Sequence, residues 1–199
     1  MRYQNQVIIQ LQRDRTIHDM CENLVKKHRA ESWWGLIVKD NNPPVPEYRG
    51  GSGQLRCDQN TRVYFVGHGN GLFPPSISGF GPNELAAIFA GWNPSGVGKI
   101  GLVSCYSAGV PESVPLAPGQ VSRDFAKDFH IFLRANRIRT VVSGYQAMVS
   151  VQPSGRKQTT TVHGQWFVGQ AHLKIIYILN QNGDQEAYNG SNYDPMDID

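Results

Sequence analysis

The sequence predicts an α/β fold: a central, mostly parallel β-sheet flanked by helices, with a late strand pair forming a C-terminal flap hairpin beside it. Three observations carry this. Short apolar runs alternate with segments whose apolar residues recur at three- and four-residue spacing. The connections are rich in Pro, Gly and Asn. The order of the elements, strand then helix, favours parallel pairing, since a parallel neighbour must be reached by a crossover.

In chain order, Val7 to Leu11 reads as a short buried strand. Asp14 follows as a helix N-cap, and a helix runs from about Thr16 to His28 with Ile17, Met20, Cys21, Leu24 and Val25 on one face. Gly35 to Lys39 is a second strand, and Asn41 to Gly53 an exposed connection. A third strand, Arg62 to Val66, ends abruptly in Gly67-His68-Gly69. Pro82 opens a helix over Asn83 to Ala90, since proline suits a first helical turn. Ile100 to Ser104 is a fourth strand, ending at Cys105. A Pro/Gly-rich loop, Ala108 to Gln120, leads to a helix from Arg123 to Asn136 with Ser122 as its expected N-cap. Thr140 to Ser143 is a fifth strand, and Gln165 to Val168 with Lys174 to Leu179 form the expected hairpin.

A chain of 199 residues, 40% hydrophobic and 18% charged, suits one globular domain with a single core. That domain is expected over 1–180, with a polar, frayed tail over 181–199. A net charge of +3 does not point to nucleic acid, although cations gathered on one face could bind an anion. The three cysteines show neither a disulfide framework nor a metal-ligand pair, so a reducing compartment and no metal are expected. There is no signal-peptide pattern and no apolar run able to span a membrane, so the chain is expected to work in a cytosol or to be cut from a larger protein.

In open α/β sheets, sites form beyond the carboxyl ends of the strands. Two strands end there in reactive side chains, His68 and Cys105. If the strands are neighbours, the pair meets at one edge and can act as a nucleophile with its proton partner. Gly67 and Gly69 open the backbone around His68, so the N–H groups of Gly69 and of Cys105 are candidate donors to an oxyanion. Packing of Cys105 and turn-capping by His68 are equally open readings of the residues alone. Cys21 reads as core, Cys57 as incidental, and His18, His28, His130, His163 and His172 as surface or loop residues.

An ordered set of motifs adds to this reading: Val7-Ile8-Ile9-Gln10-Leu11-Gln12 with Asp14, Asn23-Leu24 with Lys27, and Val66-Gly67-His68-Gly69. Gly79-Phe80, Glu84-Leu85, Leu102-Val103-Ser104-Cys105, Gly155-Arg156-Lys157 and Gly164-Gln165-Trp166 continue it. Over Val7 to Leu179 the chain resembles the autoprocessing cysteine protease domain of MARTX toxins and of the large glucosylating clostridial toxins.

That resemblance implies a caspase-like fold and a Cys-His dyad falling on Cys105 and His68, with Asp14 orienting the histidine. It implies cleavage of the domain's own parent polypeptide inside the host cytosol, after delivery as part of a secreted bacterial toxin. It further implies activation by inositol hexakisphosphate at a basic pocket falling on Lys27, Arg62, Arg156, Lys157 and Lys174, with the flap linking pocket to active site. Trp166, on that flap, reads either as a hinge contact between pocket and active site or as plain packing. The sequence departs from the pattern at Asn60, Thr160 and Gly169, where basic residues are usual, and in the connection between Cys105 and Ser122, a place to shape a substrate groove. Two other readings stand beside it: a caspase-like peptidase acting in trans without inositol phosphate, and an inactive binding module on the same fold.

Overall fold

The computed structural model describes residues 3–30, 32–37, 45–51, 55, 57–92, 94–160, 166–168 and 171–193. Its centre is an eight-stranded sheet. Five parallel strands form the middle: β2 (Ser32–Ile37), β1 (Asn5–Gln10), β4 (Thr61–Val66), β7 (Lys99–Val103) and β8 (Val141–Tyr145), in that spatial order. Antiparallel strands close both sides: β3 (Val45–Gly51) beside β2, and β12 (Lys174–Leu179) then β13 (Gln185–Asn189) beside β8. The expected α/β architecture with a mostly parallel, helix-flanked sheet is therefore present.

Burial on both faces explains the unbroken apolar runs, since all six residues of β4 are buried. On one face, Ile8, Tyr64, Val66 and Val103 pack against Ile17, Met20, Cys21 and Leu24 of α1 (Arg15–His28). On the other, Val7, Ile9, Phe65 and Leu102 meet Leu85 and Phe89 of α2 (Pro82–Gly91) and Phe125, Phe129 and Leu133 of α3 (Phe125–Ala135). Phe65 takes Phe89 and Phe129 edge-on, at ring separations of 5.6 and 5.9 Å.

Several expectations are corrected. The second strand begins at Ser32, because its ladder with β1 starts at Val7 opposite Ser32; Val38 and Lys39 lie outside the described residues. The Asn41 to Gly53 connection contains β3, an edge strand in register with β2. The two late strands do not pair with each other. β12 joins the main sheet beside β8, whereas β11 (Trp166–Val168) pairs with β10 (Lys157–Thr160), itself paired with β9 (Met148–Val151). The flap is thus a separate three-stranded sheet.

The frayed tail is corrected as well: β13 and α4 (Gly190–Tyr193) lie within it, while residues 194–199 fall outside the described set. A buried histidine holds β13. His130 Nε2 lies 3.1 Å from the carbonyl of Thr140, which can only accept, so the proton sits on Nε2. Nδ1 is then an acceptor, and Gln185 donates to it at 2.8 Å and to the Lys127 carbonyl at 3.1 Å. Burial lowers the pKa of His130 and favours this neutral form.

The N-cap of α3 is Asp124, not Ser122: its Oδ1 accepts from the Lys127 N–H at 2.8 Å. Ser122 instead ties its hydroxyl to the N–H and carbonyl of Val110. The other oxygen of Asp124 accepts from the Tyr177 hydroxyl of β12, so one carboxylate starts a helix and pins a strand to it. Asp124→Ala should therefore cost about 2 kcal/mol of unfolding free energy, a lost cap plus an orphaned hydroxyl, and Tyr177→Phe about 1 kcal/mol. Urea denaturation of both variants checks this; equal losses would show that the cap carries no weight.

Candidate active site

The site begins with register. β4 and β7 are parallel neighbours with Val66 opposite Val103. Each strand runs two residues further to its reactive side chain, His68 on one and Cys105 on the other. The two loops then touch. A Cβ on residue 69 would lie 2.0 Å from the carbonyl oxygen of Cys105 and 2.4 Å from Oγ of Ser104. The nearer obstacle is backbone and cannot swing aside, so this approach requires glycine.

Gly69 is also presented in a particular way. The Ser78 N–H donates to the His68 carbonyl at 2.7 Å, and Gly69 stands opposite Ile77 where β5 (Gly69–Asn70) pairs antiparallel with β6 (Ser76–Ile77). In an antiparallel ladder, the residue after a hydrogen-bonded pair turns its own N–H and C=O away from the partner strand. The Gly69 N–H therefore faces away from β6 and is not used by that ribbon.

Cys105 is half-buried, and its sulfur is engaged by β9: the Val149 N–H donates to Sγ at 3.4 Å, and Sγ lies 3.8 Å from the Val149 carbonyl. Burial pushes the thiol pKa above its ordinary value, although hydrogen bonds from the backbone N–H groups of Val149 and of Cys105 itself pull the other way. The resting side chain at neutral pH is thus a thiol. Tyr106, next in the chain, has φ of 51°, a left-handed conformation uncommon for a large side chain, and its N–H donates to the Ala147 carbonyl at 2.9 Å. Strain and hydrogen bonds together fix the cysteine loop along the start of β9.

Asp14 has two oxygens and two neighbours. Oδ1 accepts from the Ile17 N–H at 3.0 Å and so caps α1 as expected. Oδ2 lies 3.2 Å from His68 Nε2, a close approach that is not an aligned hydrogen bond. The His68 side chain is 54% exposed, open to solvent and to an incoming chain.

A second cluster lies on the α1 face of the sheet, around Tyr64. The Arg62 guanidinium is 4.7 Å and the Lys157 ammonium 4.8 Å from the centre of its ring; His28 stacks on it, with the tyrosine hydroxyl 3.1 Å from Nε2. Lys27 joins through the turn between β9 and β10. Gly155 there has φ of 75°, and a Cβ on it would lie 2.2 Å from Cβ of Lys27, so the turn sits directly on α1 with exposed Arg156 beside it. The structure thus brings Lys27, Arg62 and Lys157 together, with Arg156 adjacent. Lys174 stands apart. It pairs with Tyr145 at the other end of the sheet, on the order of 20 Å from Arg62 by strand rise and spacing.

Asn60 is exposed in the turn before β4, Thr160 is buried in the flap sheet, and Gly169 lies outside the described residues. Trp166 stands exposed on β11, in register with Thr160. Sequence reasoning missed two participants. Lys99 is 2% exposed and directly opposite Arg62, so it shares the cationic face. The signal was a lysine opening a strand whose remaining residues are apolar or Gly. Val149 acts through its backbone and left no signal in side-chain chemistry.

Comparison with known proteins identifies the family of the chain. The peptidase C80 family matches residues 1–160. The multifunctional-autoprocessing repeats-in-toxin protein of Vibrio vulnificus is 25% identical over 199 residues, 94% of this chain and 4% of that protein. Its namesake from Vibrio cholerae serotype O1 is 26% identical over the same share of each. The chain therefore spans about 4% of the length of these relatives. With strand ends of this kind and a match over most of its length, the chain belongs to the peptidase C80 family of cysteine peptidases.

Proposed function

We propose that this chain is an endopeptidase in which Cys105 is the nucleophile, His68 its acid–base partner and Asp14 the group that orients His68. The observation that carries the reading is the β4–β7 register, which sets Gly67-His68-Gly69 against Ser104-Cys105. In this reading Nε2, the nitrogen 3.2 Å from Asp14 Oδ2, carries the proton when His68 is neutral, and Nδ1 does the chemistry. As Sγ attacks a peptide carbonyl carbon, its proton passes to Nδ1 and the carbonyl oxygen becomes an oxyanion. The N–H groups of Gly69 and Cys105 donate to that oxygen. The C–N bond then breaks, and the imidazolium gives its proton to the leaving amine. A water deprotonated by His68 attacks the thioester and releases the acid, and the proton returns to sulfur.

The substrate is the larger polypeptide that carries this domain, a bacterial toxin delivered to a host cell. Inositol hexakisphosphate fits the cationic cluster as an activator. Arg62 and Lys99 are like charges side by side on adjacent strands, an arrangement that favours a bound polyanion. Lys27, Arg62, Arg156 and Lys157 would hold it, with Lys99 behind them. Bound, it supplies negative charge between α1, the sheet and the flap. Because β9 both leads into the Gly155 turn and holds Sγ, ordering of that turn bears on the nucleophile.

Cys105→Ala should abolish cleavage of a fused parent segment. His68→Ala should reduce it by about a hundredfold or more, and Asp14→Ala less severely. Wild-type turnover by Cys105→Ala would sink the assignment. In the resting protein, the rate of Cys105 alkylation by iodoacetamide should rise with pH through a midpoint above the 9.0 of an ordinary thiol. A midpoint below that value would mean the thiolate is favoured by the fold. Inositol hexakisphosphate should raise unfolding stability by about 2.7 kcal/mol at a hundredfold excess over its dissociation constant, in wild type and Cys105→Ala alike. Replacing Arg156 and Lys157 together should weaken activation at least about tenfold while leaving the unactivated rate in place. An unchanged titration curve would remove both residues from the pocket, and cleavage indifferent to the polyphosphate would favour the unswitched peptidase.

A further inference from the structure

A cleft of about 490 Å³ opens at the amino ends of β7 and β8, the end of β7 remote from Cys105. Gln59 lines it together with the turn that joins β12 to β13, residues 180–183. Ile178 and Leu179, the last residues of β12, give it an apolar part. Two charged side chains reach it, Arg134 from the last turn of α3 and Arg139 from the approach to β8, and no carboxylate lines it.

The turn is shaped around one of these cations. Asn180 Oδ1 accepts from the N–H groups of Asn182 at 3.0 Å and Asp184 at 2.9 Å, which fixes the turn. Gly183 has φ of 82°, and a Cβ on it would lie 3.4 Å from a terminal nitrogen of Arg134. Glycine there supplies the left-handed backbone and leaves room for the guanidinium to lie along the turn.

Both cations are left uncompensated. Among the described residues, neither Arg134 nor Arg139 has a carboxylate within ion-pair distance. The carboxylates that adjoin the cleft in sequence are engaged elsewhere or stand outside it. Asp58 Oδ1 accepts from the Asn60 N–H and the Thr61 hydroxyl, Glu186 accepts from the Asn180 amide and the Tyr188 hydroxyl, and Asp184 is not in the lining. A cation in the last turn of a helix is at home against its carbonyls, which accounts for Arg134 taken alone. It does not account for Arg139, which lies beyond the helix and faces the same cleft.

We propose that this cleft binds a doubly charged oxyanion, a phosphate monoester or a dicarboxylate, on the guanidinium groups of Arg134 and Arg139. Each guanidinium offers paired N–H donors that match the oxygens of such a group. The Gln59 amide adds a further donor, and Ile178 with Leu179 would meet the body of the ligand. The site shares no residue with the proposed dyad or with the cationic cluster around Tyr64, and it stands whether or not the peptidase reading does.

The test uses the full chain, isotope-labelled at arginine, with the guanidinium Nε–H signals followed by NMR. Inorganic phosphate and succinate are added separately at constant ionic strength, which holds general screening fixed. Signals of Arg134 and Arg139 should shift saturably with one shared dissociation constant, while Arg137, outside the cleft, should not respond. Saturation by phosphate alone assigns a phosphate ester, and saturation by succinate alone a dicarboxylate. Arg134→Gln and Arg139→Gln should each weaken binding at least about tenfold, with the melting temperature unchanged. Arg134→Lys, which keeps the charge and loses the fork, should also weaken it. Replacing Arg156 and Lys157 together should leave it as in wild type. Shifts that grow without saturation at every arginine alike, or binding that survives both Gln variants, would overturn the proposal.

Discussion

The site depends on one contact between two backbones, the approach of Gly69 to the carbonyl of Cys105. Parallel pairing of β4 with β7 sets the two loops side by side, but pairing alone would leave room for a side chain between them. The absence of one at residue 69 lets the loops close, and the same residue turns its N–H away from the β5–β6 ribbon. A single glycine thereby fixes a distance and presents a donor. Around it, Asp14 and Val149 add contacts to His68 and Cys105 from elements that lie far apart in the chain.

The flap gains its meaning from the same economy of parts. β9 runs beside the cysteine loop and hydrogen-bonds the sulfur through Val149; a few residues later the chain turns over Lys27 at Gly155 and returns with Lys157 over Tyr64. One hairpin therefore touches both the thiol and the cationic cluster. The activation proposed above rests on that shared hairpin. Arg62 and Lys157 sit against the ring of Tyr64, which offers a positive charge a favourable face.

The sequence made the centre of this molecule legible and the margins much less so. β1, β4 and β7 announce themselves because strands buried on both faces are mostly apolar, despite Gln10, Arg62 and Lys99, and their loops carry residues whose chemistry is plain. The edge strands do not. β3 contains Pro46, Glu47 and Arg49 because an edge needs few apolar residues, and β13 contains Gln185, Glu186 and Asn189 for the same reason. The N-cap of α3 was misplaced by two residues because serine and aspartate cap equally well, and the Ser122 hydroxyl is taken up by Val110 while Asp124 accepts from Lys127 and Tyr177. Asp14 is the opposite lesson. Its spacing marked a helix cap, and it is one; nothing in spacing revealed that its second oxygen faces His68. Lys174 had the right charge for the cationic cluster, but register with Tyr145 carries it to the far end of the sheet.

The resting state of the thiols has a consequence for their encounter with oxidants. Peroxides and disulfides react with the sulfur anion, and each of the three cysteines is held in its protonated form by burial, Cys57 with a pKa pushed up to about 12 and Cys21 higher still. Cys105, whose reactivity the proposed chemistry requires, is sheltered in the same way by its burial, against the opposing pull of the Val149 N–H. A chain so arranged presents little sulfur anion to an oxidant at neutral pH, and burial alone achieves this.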